Sequence, residues 1–215
     1  MTEYLTEQEQ VQQLKTWLKQ YGPTILLGIV IALIMTTSLR YWQNYQNKIL
    51  MHASSIYDEM LALRAQNNED GATIQAKKLL AHYRKTPYAD MASLLLARNA
   101  VLNKDYAEAT KQLNDVIDHS KTASLREMAR IRLARILLTE QKPDEALALL
   151  KKMDDKNYLG LVDEVRGNAY LLKQDPDAAR KAYQLALQEL PNAEVVRPIL
   201  EMKYANLTTT THLAT

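Results

Sequence analysis

The hydrophobic pattern of the chain is dominated by one uncharged stretch near the amino terminus. Between Lys19 and Arg40 there are twenty consecutive residues without a charged side chain. Their centre, 25–35, consists of Ile, Leu, Val, Ala and Met, interrupted only by Gly28. A helix rises about 1.5 Å per residue, so a stretch of this length covers about 30 Å, the thickness of a bilayer's hydrocarbon core. The pattern therefore predicts one transmembrane helix at 21–42.

Aromatic rings flank this stretch on both sides, as they do at the two interfaces of a membrane span. The rings belong to Trp17, Tyr21, Tyr41, Trp42 and Tyr45. A cleaved signal peptide would begin with basic residues and end at small ones. The first nine residues here carry three Glu and no Lys or Arg. We therefore expect an uncleaved anchor rather than a signal peptide or a buried globular helix.

The charges beside the anchor leave its orientation open. Two basic residues precede the stretch, Lys15 and Lys19, and two follow it, Arg40 and Lys48. Because the positive-inside rule needs an excess of basic residues on one side, charge alone does not decide which compartment receives the remaining domain. The segment before the anchor, 1–20, is short and polar.

Beyond the anchor, the apolar positions follow a helical period. Val and Ile do not alternate with polar residues in the period of a strand after residue 50, and the whole chain has only five Gly and six Pro. The expected helices are 47–67, 72–85, 88–103, 106–119, 123–140, 143–153, 159–173, 176–190 and 193–207. They indicate an all-α domain at 46–207 with a flexible tail at 208–215.

The expected helices form a repeat. Three segments share one turn, which follows an apolar helix and opens a second one: 103–109, 140–146 and 173–179. Their closing alanines, Ala109, Ala146 and Ala179, recur at close to the period of a tetratricopeptide repeat, about 34 residues. The shorter of the two intervals between them, applied backwards from Ala109, reaches Ala76. It places Arg64 at a position that is small in the other repeats.

The last repeat matches the tetratricopeptide pattern most closely. Gly167 and Ala179 are small residues that let two helices approach, and Tyr183 and Leu187 fill the groove that the next helix closes. That next helix carries Val195, Val196, Ile199, Leu200, Met202, Lys203 and Leu207. The predicted fold is all-α: one N-terminal transmembrane helix, then a tetratricopeptide-like α-solenoid of about four helix pairs and a C-terminal capping helix.

Composition and charge argue against several classes of function. The net charge of +2 is balanced along the chain, whereas a nucleic-acid-binding protein has a clustered basic face. The absence of cysteine excludes disulfides, thiolate metal sites and a cysteine nucleophile. The histidines, His52, His82, His119 and His212, have no metal-ligand spacing, and no serine lies in a nucleophile-elbow sequence. We expect no catalytic residues, no cofactor and no metal.

Three sets of residues are candidates for partner binding. In the anchor, Gly28 and Ala32 form a small-xxx-small pair, which permits close approach of another helix. In the last repeat, Asp163 and Arg166 lie one turn apart and form either a solvated ion pair or a binding site. Stacked repeats also create a concave groove that holds peptides or partner domains. Its expected lining residues are Asn99, Asn103, Arg132, Arg135 and Asn168.

A series of motifs runs along the whole chain. The motifs are Gln10-Val11, Leu14-Lys15, Gly22, Gly28, Arg40-Tyr41-Trp42, Ala53-Ser54, Tyr57, Ala92-Ser93-Leu94, Leu133-Ala134-Arg135, Asp163-Glu164-Val165-Arg166-Gly167, Ala179-Arg180, Met202-Lys203 and Asn206-Leu207. In this order they resemble the YfgM family of ancillary subunits of the bacterial SecYEG translocon. The resemblance implies a single-pass protein of the cell inner membrane with a cytoplasmic amino terminus and periplasmic repeats. It also implies two partners, the SecYEG translocon and PpiD, a membrane-anchored periplasmic chaperone of the prolyl-isomerase type.

The anchor, the repeats and the resemblance together favour a non-enzymatic, membrane-tethered scaffold. It would link the Sec translocon to periplasmic chaperones and assist the biogenesis of secretory or membrane proteins. Tethering to the lipid bilayer raises the effective concentration of the repeats beside a membrane partner, so modest affinity suffices. The alternatives are a holdase-type chaperone that binds unfolded secretory chains, a cytoplasm-facing signalling adaptor and a membrane-anchored enzyme.

Overall fold

The computed structural model of the protein describes residues 7–153, 156–190 and 196–212, and these ranges contain no β-strand. The α-helices are α1 (Glu7–Ala65), α2 (Glu69–His82), α3 (Pro87–Leu102), α4 (Tyr106–His119), α5 (Ala123–Thr139), α6 (Pro143–Leu150), α7 (Leu159–Leu172), α8 (Pro176–Glu189) and α9 (Val196–His212). A short 3-10 helix, Lys156–Tyr158, precedes α7. The chain divides into two compact units, Met1–His52 and Ala53–Thr215. The predicted all-α class is confirmed.

The apolar stretch of α1 in the first unit is exposed. Large side chains of α1 such as Leu26 and Ile34 are about 60% exposed or more. The hydroxyls of Thr36 and Thr37 donate to backbone carbonyls one turn back, at 2.9 and 2.8 Å, so their polar atoms are satisfied within the helix. Among the described helices, α1 alone is long and apolar enough to cross a membrane. This fits the expected anchor.

The second unit is a stack of helix pairs. The segment of α1 from Ala53 onward packs with α2, and the next pairs are α3 with α4, α5 with α6 and α7 with α8. Apolar clusters follow one another along the stack, and α9 closes the last of them. Each helix buries one apolar face against its partner and another against the next pair, so the core is continuous. The predicted solenoid with a capping helix is confirmed.

The turns within the four pairs share one backbone conformation. Asn67, Lys104, Gln141 and Gln174 all have a left-handed φ between 58° and 61°. In each case the next residue donates its N–H to the carbonyl five residues earlier; for Asp105 and Ala100 this distance is 2.8 Å. This is the bond that ends a helix in a Schellman turn. Sequence reasoning found three of these turns and missed the one at Asn67.

The missed turn corrects the register of the first repeat. The interval from Gln141 back to Lys104, applied once more, leads to Asn67, so the counterpart of Ala109 is Ala72 rather than Ala76. The position assigned to Arg64 then belongs to Met60, which is fully buried. Arg64 instead lies near Glu69, with 3.9 Å between Nε and Oε1. The prediction for Arg64 was wrong because it used the shorter of the two observed intervals.

The capping helix α9 differs from its prediction in two respects. Leu200 is 1% exposed and packs with Tyr204 and Leu207 on the core, but Ile199 and Met202 are more than half exposed. Successive residues turn about 100° around a helix, so positions 200, 204 and 207 share a face that 199 and 202 do not. The helix also continues beyond 207 to His212, since threonine lowers helix propensity only slightly. Val195 lies outside the described residues.

Candidate partner-binding groove

The five residues expected to line one groove lie in three places. Arg132 and Arg135 of α5 line a cavity of about 390 Å³ between α3, α4 and α5. Asn99 and Asn103 line a different depression, between α2, α3 and α4. Asn168 belongs to a polar cluster on α7. Asn99 points away from the cavity that its neighbour Arg98 reaches, because successive residues of a helix point about 100° apart, whereas Asn168 lies on α7, the first helix of the following pair.

The cavity between α3, α4 and α5 has an apolar floor and a basic rim. Its floor consists of Ala97, Val101, Tyr106, Leu113 and Ile136. Three arginines, Arg98, Arg132 and Arg135, reach the same space, and none of the described residues that line it is acidic. Sequence reasoning missed Arg98, although Arg98 stands before the turn residue Lys104 in the same register as Arg135 before Gln141.

Positive charge in this cavity is only partly compensated. Burial lowers the pKa of Arg132, and the charges of Arg135 and Arg98 lower it further. Arg132 Nη1 donates to the backbone carbonyl of Leu94 at 3.3 Å, which is a neutral acceptor. Arg98 is exposed and has no ion pair within the described part of the chain. The arrangement therefore favours a negatively charged group.

Arg135 has a carboxylate partner, which sequence reasoning missed. Glu164 of α7 is only 9% exposed and accepts from Arg135 at 2.9 Å, Lys203 at 2.9 Å and Asn168 at 2.8 Å. Burial raises the pKa of Glu164, but these donors outweigh it and hold the pKa below its usual value. The hydroxyl of Tyr183 donates to Asn168 Oδ1 at 2.8 Å. The cluster joins α5, α7, α8 and α9, so Arg135 and Asn168 have structural roles.

The pair Asp163 and Arg166 is less solvated than a surface ion pair. Asp163 is 7% exposed and accepts from Arg166 Nη1 at 2.8 Å. Arg166 Nη2 also donates to the carbonyl of Leu150, the last residue of α6, at 3.3 Å. The pair therefore ties α7 to the end of α6.

In the anchor, Gly28 and Ala32 are exposed on the surface of α1. A Cβ added at Gly28 would meet no atom within 4 Å. The pair therefore offers a shallow, unobstructed site for another helix, and its role in partner binding stays a prediction.

An apolar helix followed by stacked helix pairs defines this chain as a tetratricopeptide-like helical-repeat protein with a candidate membrane anchor. The family model described as a tetratricopeptide repeat-like domain matches residues 15–209, and the chain belongs to that family.

Three curated relatives share nearly the whole chain. Each is named ancillary SecYEG translocon subunit. The Escherichia coli K12 protein is 26% identical over 204 residues, which is 95% of this chain and 98% of the relative. The Haemophilus influenzae protein is 25% identical over 203 residues, 94% and 98% of the two chains. The Neisseria gonorrhoeae protein is 26% identical over 209 residues, 96% and 100%. The resemblance to the YfgM family is confirmed.

Proposed function

We propose that the protein is an ancillary subunit of the SecYEG translocon and acts there as a non-enzymatic, membrane-tethered scaffold. The observation that carries this proposal is that similarity to proteins of that name covers both the apolar helix and the repeats. A relative that shared only the repeats would support no more than a general adaptor.

In this proposal the anchor contacts the translocon and the repeats hold a second protein. Gly28 and Ala32 provide the close-packing surface in the membrane. The cavity at Arg98 and Arg132 provides the contact outside it. The amino terminus lies in the cytoplasm and the repeats in the periplasm, where the second protein is PpiD, a membrane-anchored chaperone of the prolyl-isomerase type. The scaffold thereby brings that chaperone to emerging chains.

Site-specific photocrosslinking of the full chain in its native membrane tests both contacts. A photoreactive residue at Ala32 should crosslink to a translocon subunit, and one at Val101, on the cavity floor, to the chaperone. The exposed Lys78 on α2 lies outside the cavity and serves as the control position. Absence of any translocon crosslink from Ala32 and neighbouring positions of the anchor would contradict the proposal.

Two further measurements separate the alternatives. Leu102 at the rim of the cavity is 65% exposed, so direct binding of unfolded chains is the second candidate function. The full chain in nanodiscs should leave the aggregation of an unfolded model substrate unchanged if it is a scaffold, and should suppress it if it is a holdase.

A reporter fused after Leu207 and active only in the periplasm should report activity, whereas a cytoplasm-facing adaptor would leave it silent.

A further inference from the structure

We propose that the cavity between α3, α4 and α5 binds its partner through an acidic, amphipathic peptide segment, whose carboxylates contact Arg98 and Arg132 and whose apolar side chains pack on the floor. This inference deepens the proposed scaffold function and rests on it. It names the chemistry of the partner segment, which neither the family nor the relatives specify.

The charge of the cavity is the first argument. Three arginines reach it, and the described residues of its lining include no carboxylate. One of them, Arg135, is bound to Glu164, whereas Arg132 is half-buried with only a neutral carbonyl as acceptor. Bringing like charges together at a partly buried site is unfavourable unless an anion compensates them. A bound carboxylate would supply that compensation.

The neighbouring repeat shows which anion suits the position. When the repeats are aligned on their left-handed turn residues, Arg98 is equivalent to Arg135. The same alignment makes Ile131 the counterpart of Glu164, the residue that Arg135 binds. The carboxylate that neutralises Arg135 therefore has a buried apolar side chain as its counterpart one repeat earlier, and the described lining of the cavity offers Arg98 no carboxylate in its place. A partner's carboxylate would complete for Arg98 the pair that Glu164 completes for Arg135.

The size and floor of the cavity favour a peptide with an apolar face. Its volume of about 390 Å³ falls within the range of about 300–1,000 Å³ typical of ligand sites. The floor side chains Val101, Tyr106 and Leu113 come from two helices, so they form the kind of groove that receives the apolar anchors of an amphipathic helix. The phosphate of an anionic lipid would suit the arginines too, but the pair of Arg135 with Glu164 is a carboxylate contact.

Binding to two matched peptides tests the inference. The full chain in phosphatidylcholine nanodiscs is titrated against a labelled helical peptide of about three turns, with leucines on one face and glutamates beside them. The second peptide has glutamine in place of each glutamate. Fluorescence anisotropy should show the acidic peptide binding about tenfold more tightly, since each pair lost removes a charge-assisted hydrogen bond.

Two substitutions decide whether the cavity is the site. Arg98→Gln should lower the affinity for the acidic peptide about tenfold, and because Arg98 is exposed and forms no ion pair with another described residue, its loss should not unfold the repeats. Arg180→Gln on α8, outside the cavity, is the matched control and should leave the affinity unchanged. A peptide with lysine in place of each glutamate should bind the Arg98→Glu variant more tightly than it binds the unmodified protein. This gain of affinity tests the role of charge without relying on a loss of binding.

Several outcomes would overturn the inference. These are equal binding of the glutamate and glutamine peptides, an unchanged affinity in Arg98→Gln, and full displacement of the peptide by dihexanoyl phosphatidylglycerol, which would assign the cavity to a lipid. The nanodiscs contain no translocon, so such a failure leaves the Ala32 crosslink standing. Loss of that crosslink with intact peptide binding would contradict the proposed function alone.

Discussion

At the scale of single residues, each repeat has two facing core positions, one on each helix of the pair. The sizes of the side chains at these two positions differ from repeat to repeat. Every side chain at these two positions is buried; Gly167 has no side chain. The pairs are Met60 with Ala76, Ala97 with Leu113, Ala134 with Leu150 and Gly167 with Tyr183. A large side chain on one helix accompanies a small one on the other, so packing density is preserved while the sequences diverge.

Replacing Gly167 by alanine tests this division of volume. The added Cβ would overlap the ring of Tyr183, which is fully buried and bonded to Asn168. We expect a loss of about 1–3 kcal/mol in the free energy of unfolding, measured by chemical denaturation. Tyr183→Leu in the same chain should recover part of the loss, because it recreates the alanine–leucine pair of the middle repeats. Gly28→Ala, with open space around it, should have no effect on the repeats.

Glu164 gives the second prediction at this scale. Glu164→Gln should cost about 1–3 kcal/mol near pH 7, because Arg135 and Lys203 lose a charged acceptor. The folded-state pKa of Glu164 lies below its ordinary value of 4.5. Its contribution is therefore complete above that value and is lost as pH falls through the folded-state pKa. The difference in Tm between the two proteins should be largest near neutrality and shrink below pH 4.5.

An exposed ion pair provides the control for Glu164. Glu201 pairs with Arg197 at 2.8 Å, but its side chain is 53% exposed, and such pairs contribute about 0–1 kcal/mol. Glu201→Gln should therefore change Tm little at any pH. If the two variants responded alike, the cluster around Glu164 would have no special role in joining α5 to α9.

At the scale of elements, the turn within each helix pair places a residue other than glycine in the left-handed conformation, which destabilises the turn. Lys104 and Gln141 have φ values of 61° and 60°, a region that costs residues with a Cβ about 1 kcal/mol. Lys104→Gly and Gln141→Gly should each raise the free energy of unfolding by about 0.5–1 kcal/mol, since glycine adopts this conformation without strain. Gln112→Gly, within α4, is the control and should lower stability by about 1 kcal/mol. Destabilisation by both turn variants would contradict the assignment.

The helices and their pairing could be predicted from the sequence because periodicity and turn residues are local signals. The register of the first repeat could not, since Asn67-Asn68 replaces the Lys-Asp and Gln-Asp pairs found at two of the other turns, and spacing alone allowed two solutions. The residues that line the groove were harder still to predict. Whether Arg98 or Asn99 enters the cavity depends on a rotation of about 100° around α3. The partners of Glu164 lie on helices 29 and 39 residues away, which no local pattern shows.

At the scale of the whole molecule, two parts with opposite surface requirements share one chain. The apolar part of α1 exposes its large side chains, which in water would favour aggregation and in lipid is the stable state. The repeats bury most of theirs in a series of clusters along the stack. An unanchored scaffold would need high affinity for each partner, whereas an anchored one needs only moderate affinity once its partners share the membrane.

Charged substitutions in the apolar stretch should therefore abolish membrane anchoring without changing any residue of the repeats. Leu27→Arg combined with Ile31→Arg places two charges at the centre of the apolar stretch, at about 2.5–3.5 kcal/mol each. The unmodified protein should stay with membranes during alkaline carbonate extraction, and the variant should be released from them. His52→Arg, which adds a charge beyond the apolar stretch, should behave like the unmodified protein. Because no repeat residue changes, the released variant should still bind the acidic peptide, while its crosslinks to the translocon disappear. Release of the unmodified protein by carbonate would show that α1 does not span the membrane, and the proposed scaffold function would lose its tether.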